Sequence, residues 1–299
     1  MDRQPTDAET DNRQWLFVIM TTISSNSGNH VNKQEIEDIL SLIQKEHNFD
    51  FSRYKRASIT RSINRRLKHH HLRSGQQYFF LIRQDPKETA RLISDITVEY
   101  SFFFRDKNAL KDLRHLAMEP LLKQKANDKD GLRAWCAGCA GGEEAYTLSI
   151  CFFEASKGLP DKYRPVIFAT DVDENSLRKA QMACYQDKSL SELSPHQIKR
   201  YFHRRGHNYY VEDFIKKHVC IGKHNILTDP PISRLDLISC RNVLIYLQKE
   251  AQEKTLELIH YGIKPGGFLF LGRTENLIDK MKNKFEVVSQ ESRIFRKMA

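Results

Sequence analysis

The sequence lacks any apolar run long enough to cross a membrane. A membrane-spanning helix needs roughly 18 consecutive apolar residues, whereas the longest early run extends only from Trp15 to Met20. The residues before this run are polar and do not form the basic and apolar regions of a secretory signal. We therefore expect a cytoplasmic protein with no membrane insertion, in which residues 1–30 form a polar tail.

Cysteine and histidine patterns typical of disulfide, redox or zinc sites are also missing. Six cysteines are scattered along 299 residues. Cys136 and Cys139 form a C-x-x-C pair, but no second pair with zinc-type spacing follows, and the flanking Ala and Gly residues suit a tight turn. Three consecutive histidines at 69–71 cannot all face one metal from a helix. We predict reduced thiols that pack as small hydrophobic side chains, and no metal centre.

Positive charge is abundant, with a formal net charge of +10. Residues 31–96 have helical periodicity, and the stretch between Arg53 and Arg73 is rich in Lys and Arg with almost no acid to form i,i+4 pairs. Such a run can be a solvated helix face or a docking surface for acidic helices or phosphates. The charge itself indicates an acidic partner of unspecified kind.

From Leu132 onward, strand and helix patterns alternate. A strand at 132–137 leads into a glycine-rich loop and a helix, and a second strand at 165–170 ends at Asp171. Further buried strands follow at Leu235 and after Pro265-Gly-Gly. This order predicts a doubly wound, Rossmann-like α/β domain over residues 132–299. Residues 97–131 are expected to form the linker before it, and the family resemblance described below implies that this linker contacts a cofactor. Residues 185–224 break the pattern and predict a small β insert with one or two hairpins, including Tyr209–Val211 and Val219–Ile221.

The residues around the glycine loop favour a nucleoside-containing ligand over NAD. Glu143 and Glu144 open the helix, where they would repel a pyrophosphate but suit an ammonium group. Asp171 lies 33 residues after Gly138, whereas an NAD site places its acid about 20 residues on. Arg241 and Asn242 follow a buried strand, where ligands of such sheets bind. These features favour a methyl donor, S-adenosylmethionine. Asp229-Pro-Pro-Ile lacks the aromatic residue of amino-group methyltransferases and is interpreted as a turn.

Several motifs occur together and in order: Tyr54-Lys…Arg65-Arg66-Leu67, Phe103-Phe-Arg-Asp106, Trp135 to Tyr146, Ala169 to Asp173, Cys240-Arg-Asn-Val-Leu-Ile-Tyr246, Lys264-Pro-Gly-Gly267 and Thr274-Glu-Asn276. From about Ile36 to Arg296 the chain thereby resembles chemotaxis receptor methyltransferases of the CheR type. The resemblance implies a small all-helical N-terminal domain, residues 31–96, followed by the Rossmann-like methyltransferase domain with its β insert.

The resemblance also implies site residues. Arg241 would position the substrate carboxylate, and Tyr246 would shape the path of the methyl group. The expected cofactor-binding residues are Glu99, Ser101, Arg105, Glu143, Asp171, Asn225, Ile226, Arg241 and Asn242, with the choice between Glu143 and Glu144 left open. The expected receptor-docking residues are Lys55, Arg56, Arg61 and Arg65. The family has Asn-x-Thr where this chain has Glu99 and Ser101, so the chain keeps the hydroxyl and exchanges the amide for a carboxylate.

By resemblance, the expected reaction converts receptor glutamates to methyl esters, with S-adenosyl-L-homocysteine as the product. The expected partners are the cytoplasmic helical bundle of methyl-accepting receptors and, at the β insert, a receptor C-terminal tail; we expect a monomer that binds no nucleic acid. One alternative is a catalytically weak or inactive adaptor that binds S-adenosylmethionine. Another is an RNA methyltransferase, which the charge favours but for which the basic run lacks stacking aromatics.

Overall fold

The computed structural model describes residues 31–47, 49–97, 101–125, 131–157, 159–160 and 163–298. These residues divide into two compact units. The helical unit comprises the described residues up to Ser52 together with Arg56–Ile96, and the sheet unit comprises Arg53–Lys55 and the chain from Thr97 onward. In these ranges we find no helix that is both long and apolar enough to span a bilayer.

The helical unit contains α1 (Lys33–His47), α2 (Arg56–His69), α3 (Gly75–Gln84) and α4 (Pro86–Thr97). Both predicted apolar stripes are buried, and their members are Ile36, Ile39, Leu40, Ile43, Ile59, Ile63 and Leu67. Helix α3 begins where the Ser74 hydroxyl caps the Gln77 N–H at 3.3 Å. Pro86 then starts α4 at a position where its missing N–H costs nothing.

Part of the basic run on α2 pairs with acids from other helices. Arg56 contacts Glu37 at 2.8 Å, Arg65 contacts Asp95 at 3.3 Å, and Arg66 pairs with a buried carboxylate, Glu88, at 2.5 Å. The sequence showed an absence of acids within the run, but tertiary packing supplies them from α1 and α4. A fully unpaired cationic face is therefore the wrong description of this helix.

The sheet unit begins with α5 (Lys107–Leu113), a π-helical segment (Arg114–Met118) and α6 (Glu119–Lys125), so helix occupies much of the stretch predicted as a linker. Its strands are β1 (Arg133–Ala137), β2 (Val166–Asp171), β3 (Cys184–Tyr185), β4 (Phe202–Arg205), β5 (Asn208–Val211), β6 (Val219–Lys223), β7 (Leu235–Cys240), β8 (Ile263–Leu271), β9 (Phe285–Ser289) and β10 (Ile294–Lys297). The further helices are α7 (Glu143–Ala155), α8 (Glu174–Met182), α9 (Pro195–Tyr201), α10 (Asp213–Lys216), α11 (Lys249–Gly262) and α12 (Asp279–Lys282).

Seven strands form one sheet in the order β6-β2-β1-β7-β8-β10-β9. Strands β6, β2, β1, β7 and β8 are parallel, and β10 is antiparallel to β8 and β9. The chain runs outward from β1 through β2 to β6 and then restarts at β7 on the other side of β1. The carboxyl ends of β1 and β7 therefore flank the point at which a doubly wound sheet binds its ligand.

The β insert is smaller than predicted. Strands β3, β5 and β4 form a separate three-stranded sheet, which contains the predicted Tyr209–Val211 strand. The Val219–Lys223 strand was assigned to the insert, and this assignment is wrong. It pairs parallel to β2, with Val219 opposite Ile167, because Val219 and Ile221 pack against the main core and β2 offers a free edge.

Candidate active site

A cavity lies at the carboxyl ends of β1, β2 and β7, entirely within the sheet unit. The volume open to the centre of a water molecule is about 250 Å³. Its walls contain Tyr54, Thr97, Ser101, Arg105, Gly138, Ala140, Glu144, Thr170, Asp171, Val172, His224, Asn225, Ile226, Leu227, Arg241, Asn242, Val243, Tyr246 and Leu247. Strand ends that are far apart in sequence therefore converge on one cleft.

The turn after β1 brings backbone to the cavity wall. Gly138 has φ +71°, and a Cβ there would lie 2.5 Å from Val243 Cγ2. The N–H groups of Gly138 and Cys139 donate to the Thr170 carbonyl at 2.8 and 2.9 Å. A side chain at residue 138 would be both strained and obstructed, so glycine is what allows the β1 turn to sit against the loop after β7.

The two glutamates at the start of α7 have different environments. Glu143, the residue predicted to bind the cofactor, is fully buried and does not line the cavity; its Oε1 pairs with Lys179 Nζ at 2.6 Å. Glu144 does line the cavity, and its Oε1 accepts the Ser239 hydroxyl at 2.6 Å. Consecutive residues on a helix point about 100° apart, so only one of them can face the cleft. Glu144 is the one that lines the cavity.

Arg241 lines the cavity, and acidic and carbonyl oxygens hold its guanidinium. One terminal nitrogen, Nη2, donates to Asp106 Oδ2 at 2.5 Å and to the Arg105 carbonyl at 3.2 Å. The other, Nη1, donates to Glu144 Oε2 at 3.3 Å, and the guanidinium lies 4.7 Å from the centre of the Phe270 ring. The side chain is only 2% exposed. Arg241 therefore orients Glu144 and the Arg105–Asp106 turn.

Asp171 lies at the end of β2 and is surrounded by backbone donors. Its Oδ1 accepts the N–H groups of Val172 and Asp173 at 2.8 and 3.0 Å, and Oδ2 accepts that of Ala140 at 2.8 Å. Burial raises the pKa of this carboxyl group, although the three backbone donors act in the opposite direction. A carboxylate oxygen can accept two hydrogen bonds, so Oδ2 retains capacity for a ligand hydroxyl.

The loop that carries Asn242 and Tyr246 is anchored by a buried acid. Glu275 Oε2 accepts the N–H groups of Asn242 and Gly272, both at 2.8 Å, and Oε1 accepts that of Ile245 at 3.3 Å. Burial raises the pKa of Glu275. Asn242 itself has φ +59°, in the left-handed region. The carboxylate therefore fixes a strained turn at the mouth of the cleft.

The remaining predicted residues include some that line the cavity and some that lie elsewhere. Ser101, Arg105, Asn225 and Ile226, which are predicted to bind the cofactor, line this cavity, and the Asn225 Oδ1 accepts the Leu227 N–H at 3.0 Å. Glu99 lies outside the described residues. Arg56, Arg61 and Arg65 lie exposed on α2.

Lys55, which was predicted to dock the receptor, lies in a different environment from the three arginines. Lys55 belongs to the sheet unit, where its Nζ donates to the Ile245 carbonyl at 2.7 Å.

Sequence reasoning missed several wall residues, above all Tyr54 and His224. Tyr54 lies in a polar stretch between two helices, and no local pattern indicates that it reaches this cleft. His224 directly precedes the predicted Asn225 and packs edge-on to Trp135, with ring centroids 5.3 Å apart. Its position after a strand was the available signal. Within the described ranges, no cluster of His, Cys, Asp and Glu side chains could hold a metal ion.

Comparisons with known proteins show which family the sequence matches. Residues 99–294 match the family model "CheR methyltransferase, SAM binding domain", and residues 34–97 match "CheR methyltransferase, all-alpha domain". Cher3 of Pseudomonas putida, which carries the name of a methyltransferase, is 30% identical over 272 residues, covering 88% of this chain and 96% of Cher3. A chemotaxis protein methyltransferase of Listeria monocytogenes is 29% identical over 239 residues, covering 80% of this chain and 88% of its own.

A longer relative is also similar. An uncharacterized 104.1 kDa protein of Rhodobacter capsulatus is 35% identical over 257 residues, which cover 86% of this chain but only 27% of that protein. The same sequence unit thus occurs both alone, over nearly the full length of Cher3, and as a minor part of a larger chain.

Proposed function

Because the chain belongs to the CheR methyltransferase family, we propose that it transfers a methyl group from S-adenosylmethionine to glutamate side chains of chemotaxis receptors in the cytoplasm. The products would be glutamyl methyl esters and S-adenosyl-L-homocysteine. One observation carries the proposal above all: two carboxylates from different sheet positions, Glu144 and Asp171, line a single cleft that also contains Tyr246.

The residues present fit this donor. Glu144 offers a carboxylate to the ammonium of the methionine portion, and the free capacity of Asp171 Oδ2 suits a ribose hydroxyl. Asn225 and Ile226 would flank the base, and Gly138 lines the same cleft. Ser101 and Arg105 line the same cleft. A polar group at each end of an otherwise partly apolar cleft is the usual arrangement for a small-molecule site.

The proposed reaction requires little acid–base catalysis from the protein. When bound, the donor supplies a sulfonium-activated methyl group. The substrate carboxylate contributes an electron pair to the new O–CH₃ bond, and the S–CH₃ bond breaks with its pair remaining on sulfur. A glutamate with a pKa near 4.3 is already ionised at neutral pH, so no general base is needed. Holding the two reactants in line can contribute up to about 7–11 kcal/mol.

Arg241 and Tyr246 then take different roles. Both terminal nitrogens of Arg241 already contact Asp106, Glu144 or the Arg105 carbonyl. We therefore assign Arg241 to the positioning of Glu144, in place of the direct contact with the substrate carboxylate expected from sequence. Tyr246 keeps its proposed role at the path of the methyl group.

The proposed protein substrate is the cytoplasmic helical bundle of a methyl-accepting receptor. Arg61 and Arg65 offer exposed cationic groups on α2 to acidic helices, with Arg56 beside them, and the three-stranded insert is the proposed site for a receptor C-terminal tail. The proposed enzyme acts as a monomer and uses no metal. The name of the Listeria monocytogenes relative, a chemotaxis protein methyltransferase, supports the chemotaxis assignment.

The experiment is transfer of radiolabelled methyl from S-adenosylmethionine to receptor cytoplasmic fragments, followed by alkaline release of volatile methanol. We expect label that base releases, since glutamyl methyl esters hydrolyse in alkali. A receptor fragment whose candidate glutamates are replaced by alanine is the control. Calorimetric binding of S-adenosyl-L-homocysteine without any label transfer would favour a non-catalytic adaptor, and would direct attention to Glu99 in place of the family's asparagine.

A further inference from the structure

A short segment outside the sheet forms one wall of the cavity. Arg53–Lys55 lies in sequence between α1 and α2 but belongs to the sheet unit. We call these three residues the Tyr54 strap. Tyr54 lines the cavity and is 8% exposed, and no feature of the sequence assigned it to a binding site.

The strap is fixed to the loop that carries Tyr246. The Lys55 N–H donates to the Tyr246 carbonyl at 2.8 Å, and the Gln248 N–H donates to the Arg53 carbonyl at 2.9 Å. Between them, Tyr54 forms an antiparallel bridge with Leu247. This is the pattern of a very short added strand, in which main-chain hydrogen bonds determine the register.

Side chains reinforce the same attachment. Gln248 Nε2 donates to the Tyr54 carbonyl at 3.1 Å, and Lys55 Nζ donates to the Ile245 carbonyl at 2.7 Å. The Arg53 guanidinium donates to the carbonyl of Leu227, which is itself a cavity residue. The strap thus connects two wall segments, residue 227 and residues 245–248, and leaves the Tyr54 backbone little freedom.

The environment of the Tyr54 ring indicates where it acts. Its backbone lies beside Tyr246, and its side chain is close enough to Asp171 for that carboxylate, in addition to burial, to raise the pKa of Tyr54. The phenol is therefore neutral at physiological pH. Tyr54 therefore lines the same cavity as Tyr246, which is proposed for the methyl path, and Asp171, which is proposed for the ribose.

We propose that Tyr54 is a donor-binding residue, whose ring packs against bound S-adenosylmethionine between its nucleoside and its sulfonium, and that Gln248 positions it through the Tyr54 carbonyl. The inference rests on the proposed function for the identity of the ligand, and not for the identity of the protein substrate. It adds to the site a residue from the segment that joins the first two helices, and it assigns Lys55 to cavity construction instead of receptor docking.

The test is calorimetric titration of the full chain with S-adenosyl-L-homocysteine, which requires no methyl transfer. We expect Tyr54→Ala to weaken binding about tenfold, equivalent to about 1.4 kcal/mol. Tyr54→Phe should stay within about threefold of the wild type, because it keeps the ring. Ser52→Ala is the matched control beside the strap, since its hydroxyl contacts Asp50 at 2.8 Å. Tyr54→Ala binding within twofold of the wild type, with an unchanged melting temperature, would overturn the proposal.

A double-mutant cycle tests the positioning role of Gln248. Gln248→Ala should weaken binding several-fold in the wild-type background and should have almost no further effect in Tyr54→Ala, because Gln248 acts on binding by positioning the ring that Tyr54→Ala removes. Fully additive losses would contradict this role. If receptor methylation fails while both binding results hold, the proposed function is wrong and the Tyr54 inference stands.

Discussion

The two units each bury an arginine against carboxylates, with opposite geometry. In the helical unit, Glu88 is the enclosed partner: its side chain is 0% exposed, whereas that of Arg66 is 12% exposed. In the sheet unit, Arg241 is enclosed at 2%, and its partners Glu144 and Asp106 are 15% and 33% exposed. A carboxylate enclosed on every side can only support the fold. A carboxylate held from behind by a buried arginine still presents oxygen to a ligand.

Hydrogen-bond partners show the same contrast. Glu88 accepts from Arg66 Nε at 2.7 Å and from the Tyr78 hydroxyl at 2.9 Å, and its Oε2 lies 3.0 Å from His70 Nε2. This carboxylate is saturated. Glu144 contacts Ser239 and Arg241 on one side and the cavity on the other. A carboxylate whose oxygens are all occupied by donors from the protein therefore has a structural role, whereas a carboxylate that also borders the cavity can accept a ligand.

The largest expected effect comes from breaking the saturated pair. Glu88→Ala leaves Arg66 and the Tyr78 hydroxyl buried without their shared acceptor, and should lower the free energy of unfolding of the helical unit by about 3–5 kcal/mol. Urea denaturation followed by circular dichroism measures this. Glu37→Ala, which removes an exposed pair with Arg56, should cost at most about 1 kcal/mol. Equal losses of unfolding free energy in the two variants would contradict the stronger contribution of the buried pair.

Glu144→Gln should have the next largest effect. This effect should be larger on ligand binding than on the free energy of unfolding. Loss of a charged hydrogen bond to the donor's ammonium, worth about 1.5–3 kcal/mol, should weaken binding of S-adenosyl-L-homocysteine by about 10- to 100-fold. The neighbouring Glu143→Gln is the matched control, because Glu143 faces Lys179 and not the cavity. Calorimetry that finds Glu143→Gln the weaker binder would reverse the assignment of the two glutamates.

The pH dependence of stability gives a smaller, graded effect. Burial alone would raise the pKa of Glu88, but hydrogen bonds from Arg66, Tyr78 and His70 outweigh it and lower the pKa to about 2. The unfolded value is near 4.5, so the folded state binds this proton less readily. The stability that Glu88 contributes should be complete above about pH 4.5 and decline as the pH falls toward 2. Denaturation of wild type and Glu88→Gln across this range should show the two curves converging toward acid pH.

The smallest expected effect concerns exposed charge. Arg61→Ala should raise the KM for a receptor fragment two- to fivefold at low ionic strength, leave S-adenosyl-L-homocysteine binding unchanged, and lose its effect in high salt. Initial rates of methyl transfer at two salt concentrations measure this. Lys280→Ala removes a similarly exposed cation that pairs with Glu253 at 3.0 Å, and serves as the control. A change confined to kcat would contradict docking by Arg61.

Local pattern predicted most of the framework. The apolar runs at 132–137, at 165–170 and from Leu235 predict strands because buried parallel strands are continuously apolar, and the structure has strands at Arg133–Ala137, Val166–Asp171 and Leu235–Cys240. The polar residues after these runs were predicted to be site candidates. Val219–Lys223 was misplaced, since a five-residue strand that completes a sheet edge looks the same in sequence as one arm of a hairpin. Similarly, the acids that pair with arginines of α2 lie on α1 and α4. The sequence alone does not show that these acids are close to α2.

The sequence by itself determined the fold class, the family and the order of the site segments, because periodicity and motifs are local and survive without coordinates. Only the tertiary structure decided which glutamate faces the cleft, that Arg241 is engaged by acids, and that Tyr54 joins the wall. Each of these depends on the rotation of one element against another or on contacts between residues more than 90 positions apart. Such contacts follow from how apolar surfaces pack in three dimensions, and the linear order of residues does not display them.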